Sequence, residues 1–162
     1  MAKLRRWEVA AVIAIHVLVI GTPVALYCYY KHWETGHYRA LVSAEVAVAD
    51  VVFVGSESGF REGCGTAVFK LALPEKGVNA LPDNARYPAS AGWRETPYVL
   101  TGDGLTLLDR WQIGLSCAGM STELARQIND ALEKPGSYVN RGAEDALIVI
   151  PYLNLVALVY DG

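Results

Sequence analysis

Hydrophobic positions along this chain fall into two regimes. Over residues 9–30 they are nearly continuous, and the only strongly polar side chains among those 22 residues are His16 and Thr22. About 20 apolar residues suffice to cross a bilayer core as a helix, so the pattern predicts a transmembrane helix over residues 7–30. Further on, apolar residues come in short runs punctuated by Gly, Pro, Asn and Asp, which is the pattern of a folded domain.

Charges flanking the long run give it a direction. Lys3, Arg5 and Arg6 precede it, while Lys31 and His32 follow before Glu34. The bias of basic residues toward the cytoplasmic side places the N-terminus inside and the domain across the membrane. Trp7 at one end, and Tyr27, Tyr29, Tyr30 and Trp33 at the other, fall where amphipathic rings favour the headgroup zones. A cleavable signal peptide has a shorter apolar core ending in a small-x-small site. Here the run continues through Val24-Ala25-Leu26 into tyrosines, so a retained anchor is expected. Tyr27 before Cys28 lacks the small residue that a lipid-modified cysteine requires.

Within the span, Pro23 removes a backbone donor and predicts a kink. His16 lies near the midplane, where an ionisable side chain needs a partner. It is a candidate axial ligand to a haem or chlorophyll-type pigment; the plainer alternative is an imidazole bonded to a neighbouring helix or to the carbonyl one turn back. Ala10 and Ala14, four apart, permit close helix approach.

The expected organisation is a basic N-terminus at residues 1–6, the span at 7–30, a juxtamembrane stalk at 31–40 and a periplasmic domain at 41–162. Residues 41–54 and 66–73 read as strands, with a loop over 56–63 between them, although the alanines in the first half of 41–54 also admit a helix there. Residues 75–93 form a long loop rich in Pro, Asp, Asn and Gly, and Thr101-Gly102-Asp103-Gly104 is a turn. Residues 105–116 resume an apolar pattern. Residues 121–134 are the one strong helix: Ser121 caps it, Glu123 suits its positive end, Leu124, Ile128, Ala131 and Leu132 form one stripe, and Pro135-Gly136 ends it. Residues 146–150 and 155–160 read as buried strands. Strands, helix and strands in that order predict an α+β fold with an antiparallel or mixed sheet and one main helix.

Composition narrows the classes of function. The chain of 162 residues carries 14 Lys and Arg against 17 Asp and Glu. Four of the basic and two of the acidic residues lie in the first 34, leaving ten against fifteen in the rest, which argues against a nucleic-acid-binding face. Cys64 and Cys117 are the two cysteines of the domain, and in an oxidising compartment they are expected to pair. Closing a loop of about 50 residues stabilises by about 3 to 4 kcal/mol on the chain-entropy model.

Candidate chemistry is sparse. Gly114-Leu115-Ser116-Cys117-Ala118-Gly119 departs from a nucleophile turn, because its second glycine falls one place too late. The three histidines, His16, His32 and His37, all lie in or beside the span, far in sequence from any Ser or Cys nucleophile of the domain. The chain has no CxxC, no HxxxH and no phosphate-cradling Gly-Lys-Ser/Thr ending. Such a chain is expected to be a non-catalytic accessory or scaffolding subunit of a bacterial inner-membrane complex, its partners being integral membrane subunits and lipid. Tyr87, Trp93 and Tyr98 are the candidate interface residues, since Tyr and Trp are common anchors. Two alternatives stand beside it: a periplasmic inhibitor or immunity protein facing a basic enzyme, and a pigment or haem carrier using His16.

Overall fold

The computed structural model describes residues 6–58, 63–72, 87–97, 107–142 and 144–161. It resolves the chain into two units, residues 1–37 and residues 38–162, each with its own internal contacts. Most of the segment 75–93, together with Tyr98 and the turn at 101–104, lies outside the described residues.

In the first unit the apolar run is helical, as its composition dictates. Helix α1 (Arg6–His16) passes through a π-helical turn (Val17–Gly21) into α2 (Thr22–Ser43). The wide turn has a local cause. Pro23 has no N–H, and its ring would clash with the carbonyl four residues back; opening the preceding turn to i→i+5 spacing relieves both problems. This helix is long and apolar enough to cross a membrane, and among the described residues none of its most apolar window is buried. Such length and composition suit a single-pass anchor or a signal sequence.

Over residues 31–40, expected as a juxtamembrane stalk, the chain is helical. Lys31 Nζ pairs with Glu34 Oε2 at 2.7 Å one turn along, and that hydrogen bond raises the lysine pKa. The strand expected to begin at residue 41 is corrected. Tyr38, Val42 and Val46 recur at helical spacing and are all buried, so α2 continues to Ser43 and the amides of Glu45 and Val46 close onto the Val42 carbonyl. Shared burial on one helical stripe outweighed the β-propensity of the valines.

The second unit is α+β. Among the described residues its sheet has six strands: β1 (Val48–Ser58), β2 (Gly63–Leu71), β3 (Arg94–Glu95), β4 (Tyr138–Arg141), β5 (Asp145–Ile150) and β6 (Leu155–Asp161). Their order is β1-β2-β6-β5-β4-β3, and every pairing is antiparallel. The loop expected over 56–63 is shorter than foreseen, because β1 runs on to Ser58. Between β5 and β6 the short helical turn Pro151–Leu153 ends on Asn154 in the left-handed region, φ 56°, which asparagine tolerates.

The apolar pattern expected to resume over residues 105–116 is carried, among the described residues, by helix α3 (Leu107–Ala118). Leu107, Trp111 and Gly114 fall on one buried face at i, i+4 and i+7. Helix α4 (Thr122–Leu132) forms where expected, with Ser121 Oγ accepting from the Leu124 amide at 3.4 Å. Glu123, Arg126 and Asp130 make exposed ion pairs along its outer face.

Both faces of the sheet are covered. Val68, Ile148, Ile150, Ala157 and Val159 pack with Leu107, Trp111 and Ile128 of the two helices. On the opposite face Phe69, Val149, Val156 and Leu158 pack with Tyr38, Val42, Val46 and Trp93. Double burial explains why β5 and β6 read as continuous apolar runs instead of alternating ones.

Candidate functional site

In the first unit, His16 ends α1 and its Nδ1 lies 2.7 Å from the Val12 carbonyl. A carbonyl oxygen only accepts, so Nδ1 carries the hydrogen. Around the ring is an open hollow of about 430 Å³ lined by Val12, Ile13, His16, Val17, Ile20 and Gly21. The bond to the carbonyl one turn back is the plainer role expected of this histidine. The same tautomer leaves Nε2 as the acceptor nitrogen, as in metal-bound histidines whose other ring N–H meets a backbone carbonyl. Further along, Trp33 stacks on His37 with ring centres 5.5 Å apart and planes 8° from parallel, and Tyr30 stands 6.3 Å from Trp33. The Cys28 thiol is free and exposed.

In the second unit, Cys64 and Cys117 form a disulfide with Cα atoms 5.9 Å apart, joining the start of β2 to the last turn of α3. The segment that superficially resembles a nucleophile turn is therefore helical. Ser116 Oγ donates to the Ile113 carbonyl at 2.7 Å, a bond along its own helix. Beside the disulfide the backbone is packed unusually close. A Cβ on Gly114 would stand 2.1 Å from Val159 Cγ2, and one on Gly55 would stand 2.2 Å from the Ala118 carbonyl oxygen. Glycine is required at both positions for α3 to lie against the sheet.

Of the aromatic residues singled out as interface candidates, Trp93 is 5% exposed and Tyr87 is half-buried. Their rings meet at 4.9 Å, and Tyr87 meets Tyr138 at 5.0 Å. The structure thus gathers Tyr87 and Trp93 into one cluster over the sheet, while Tyr98 lies outside the described residues.

Sequence reasoning missed a second concavity, a cleft of about 320 Å³ lined by Leu41, Glu45, Asn140, Arg141, Asp145, Leu147 and Leu158 among others. It combines an apolar floor with both signs of charge at its rim. No sequence motif marks it, because its residues come from three distant segments. Among the described residues, no group of three or more His, Cys, Asp or Glu side chains is placed to hold a metal ion.

Comparison with protein-family models, with curated proteins and with solved structures finds no match to this chain.

Proposed function

We propose that this chain is an accessory or scaffolding subunit of a larger bacterial membrane complex, without catalytic chemistry of its own. In this reading the first unit is a retained inner-membrane anchor, with its N-terminus in the cytoplasm and its disulfide-bonded domain in the periplasm. The observation that carries it is the apolar helix, whose side chains from Val9 to Leu26 are exposed among the described residues. Lipid alone would satisfy such a surface. The midspan histidine and the hollow beside it call for more than lipid, because a polar nitrogen in hydrocarbon needs a partner.

Gentle detergent extraction of native membranes, affinity isolation and mass spectrometry of the co-purifying chains test the reading. Stoichiometric integral membrane partners support it; a chain recovered alone, or in complex with a soluble enzyme only, overturns it. A second reading, a haem or chlorophyll-type group ligated by His16, is favoured by the fixed tautomer of the ring. The absorption spectrum of the same preparation tests it directly.

A further inference from the structure

The partner's place on the helix can be argued from His16. With Nδ1–H donated to the Val12 carbonyl, Nε2 in that tautomer presents a lone pair and no hydrogen. None of the other residues lining the hollow, Val12, Ile13, Val17, Ile20 and Gly21, has a polar side chain. Hydrocarbon supplies no donor either, so neither the described lining of the hollow nor the lipid satisfies the lone pair, and a neighbouring helix can.

Shape points to the same source. A Cβ at Gly21 would meet only Val17 Cγ1, at 3.8 Å, an ordinary contact. The chain's own packing does not demand glycine there, and its smallness leaves the flank of the helix open to a close neighbour. The π-helical turn widens the backbone over the same five residues, 17–21, and such bulges concentrate at functional sites.

We infer that the His16 hollow is the docking site for one transmembrane helix of a different integral membrane protein. That helix sets small and apolar side chains against Val17, Ile20 and Gly21 and donates one O–H or N–H to His16 Nε2. The inference rests on the membrane-subunit reading above and names the site at which the partner is held. A second copy of this chain does not meet the requirement. In a parallel pair the facing residue is again His16, whose ring hydrogen is committed to its own Val12. The span's other strongly polar side chain, Thr22, lies six residues away, about 9 Å along the axis.

The test places a photo-crosslinking amino acid at Ile20, which lines the hollow, and separately at Leu18, which does not, in the full chain in its native membrane. The Ile20 probe is expected to join one other membrane protein, at a transmembrane segment bearing Ser, Thr, Asn, Gln, Tyr or Trp. The yield should fall at least tenfold in His16→Leu and be largely kept in His16→Gln, whose side-chain oxygen can accept. Equal yield from Leu18, a yield indifferent to His16→Leu, a product of two copies of this chain, or a visible absorption band lost in His16→Leu would each overturn the inference. Immunoblots confirm that the variants reach the membrane in equal amounts. Release of the unaltered chain by alkaline carbonate would instead remove the membrane reading itself.

Discussion

The Tyr38 hydroxyl donates to the Tyr160 hydroxyl at 2.5 Å, joining the last turns of α2 to β6 across 122 residues of sequence. The rings are also stacked, with centres 5.6 Å apart. Residues that look like the tail of an anchor are thus part of the domain core. A fragment of residues 38–162 is expected to melt cooperatively. One beginning at residue 47 loses the buried side chains of Tyr38, Val42 and Val46, worth roughly 5 kcal/mol by area. That is comparable to the whole stability of an ordinary domain. Thermal denaturation of the two fragments, followed by circular dichroism, checks the difference.

The disulfide spans a sequence separation of 53. On the chain-entropy model its loss costs about 4 kcal/mol. Cys64→Ser/Cys117→Ser should lower the Tm of the 38–162 fragment by roughly 10–20 °C. Non-reducing peptide mapping of the unaltered protein should show the two cysteines joined, and finding both alkylated without reduction would remove the basis of the prediction.

Close approach of α3 to β6 makes Gly114→Ala an overpacking change, expected to destabilise by about 1–3 kcal/mol. Val159→Ala alone removes buried methyl groups and also destabilises. Because the added methyl would occupy the space those groups vacate, the double variant should lose less than the two single losses added together. Urea denaturation of the four proteins measures the coupling, and strict additivity would mean that the helix simply shifts away.

Trp93 is anchored against Tyr87 and the sheet, so Trp93→Ala should cost about 3–5 kcal/mol in stability. If Trp93 also served an interface, Trp93→Phe would weaken partner recovery at nearly unchanged Tm, and comparing the two readouts separates the roles.

On α4, hydrogen bonds from Gln127 and then Arg126 hold the Glu123 carboxyl below its ordinary 4.5. A depressed folded-state pKa contributes stability that is present above 4.5 and lost as pH falls through the folded value. The pair is fully exposed, so the effect is small. Glu123→Gln should flatten the fall in Tm between pH 5 and pH 3 slightly while leaving the slope above pH 6 unchanged.

Legibility in the sequence varied from element to element for physical reasons. Helix α4 could be read because cap, stripe and stop agree. Strands β5 and β6 could be read because burial on both faces leaves their runs unbroken. Helix α3 was obscured by Trp111 and Ile113, which favour strands, and by Gly114, whose place in a helix makes sense only once Val159 lies against it. Strand β4 is four residues long and carries no alternation to notice. The cysteine pairing followed from there being two candidates, and His16 stood out as the ionisable residue in midspan. The hollow beside it was hidden, since it depends on the π-helical turn, and the cleft near Arg141 was hidden by the distance in sequence between its walls.

Among the described residues strand β6 comes after the other five strands in sequence, yet it lies between β2 and β5 in the sheet. The hairpin of β1 and β2 and the run β3 to β5 therefore have no direct ladder to one another until residues 155–161 arrive. Folding is bound to wait for them, since pairing β2 with β6 closes a loop of some 90 residues and such distant closures are slow. During that wait the unpaired edges of β2 and β5 face outward together with their apolar side chains. A chain emerging N-terminus first thus stays in an aggregation-prone state until residues 155–161 are made, and losing those seven residues would cut the sheet in two.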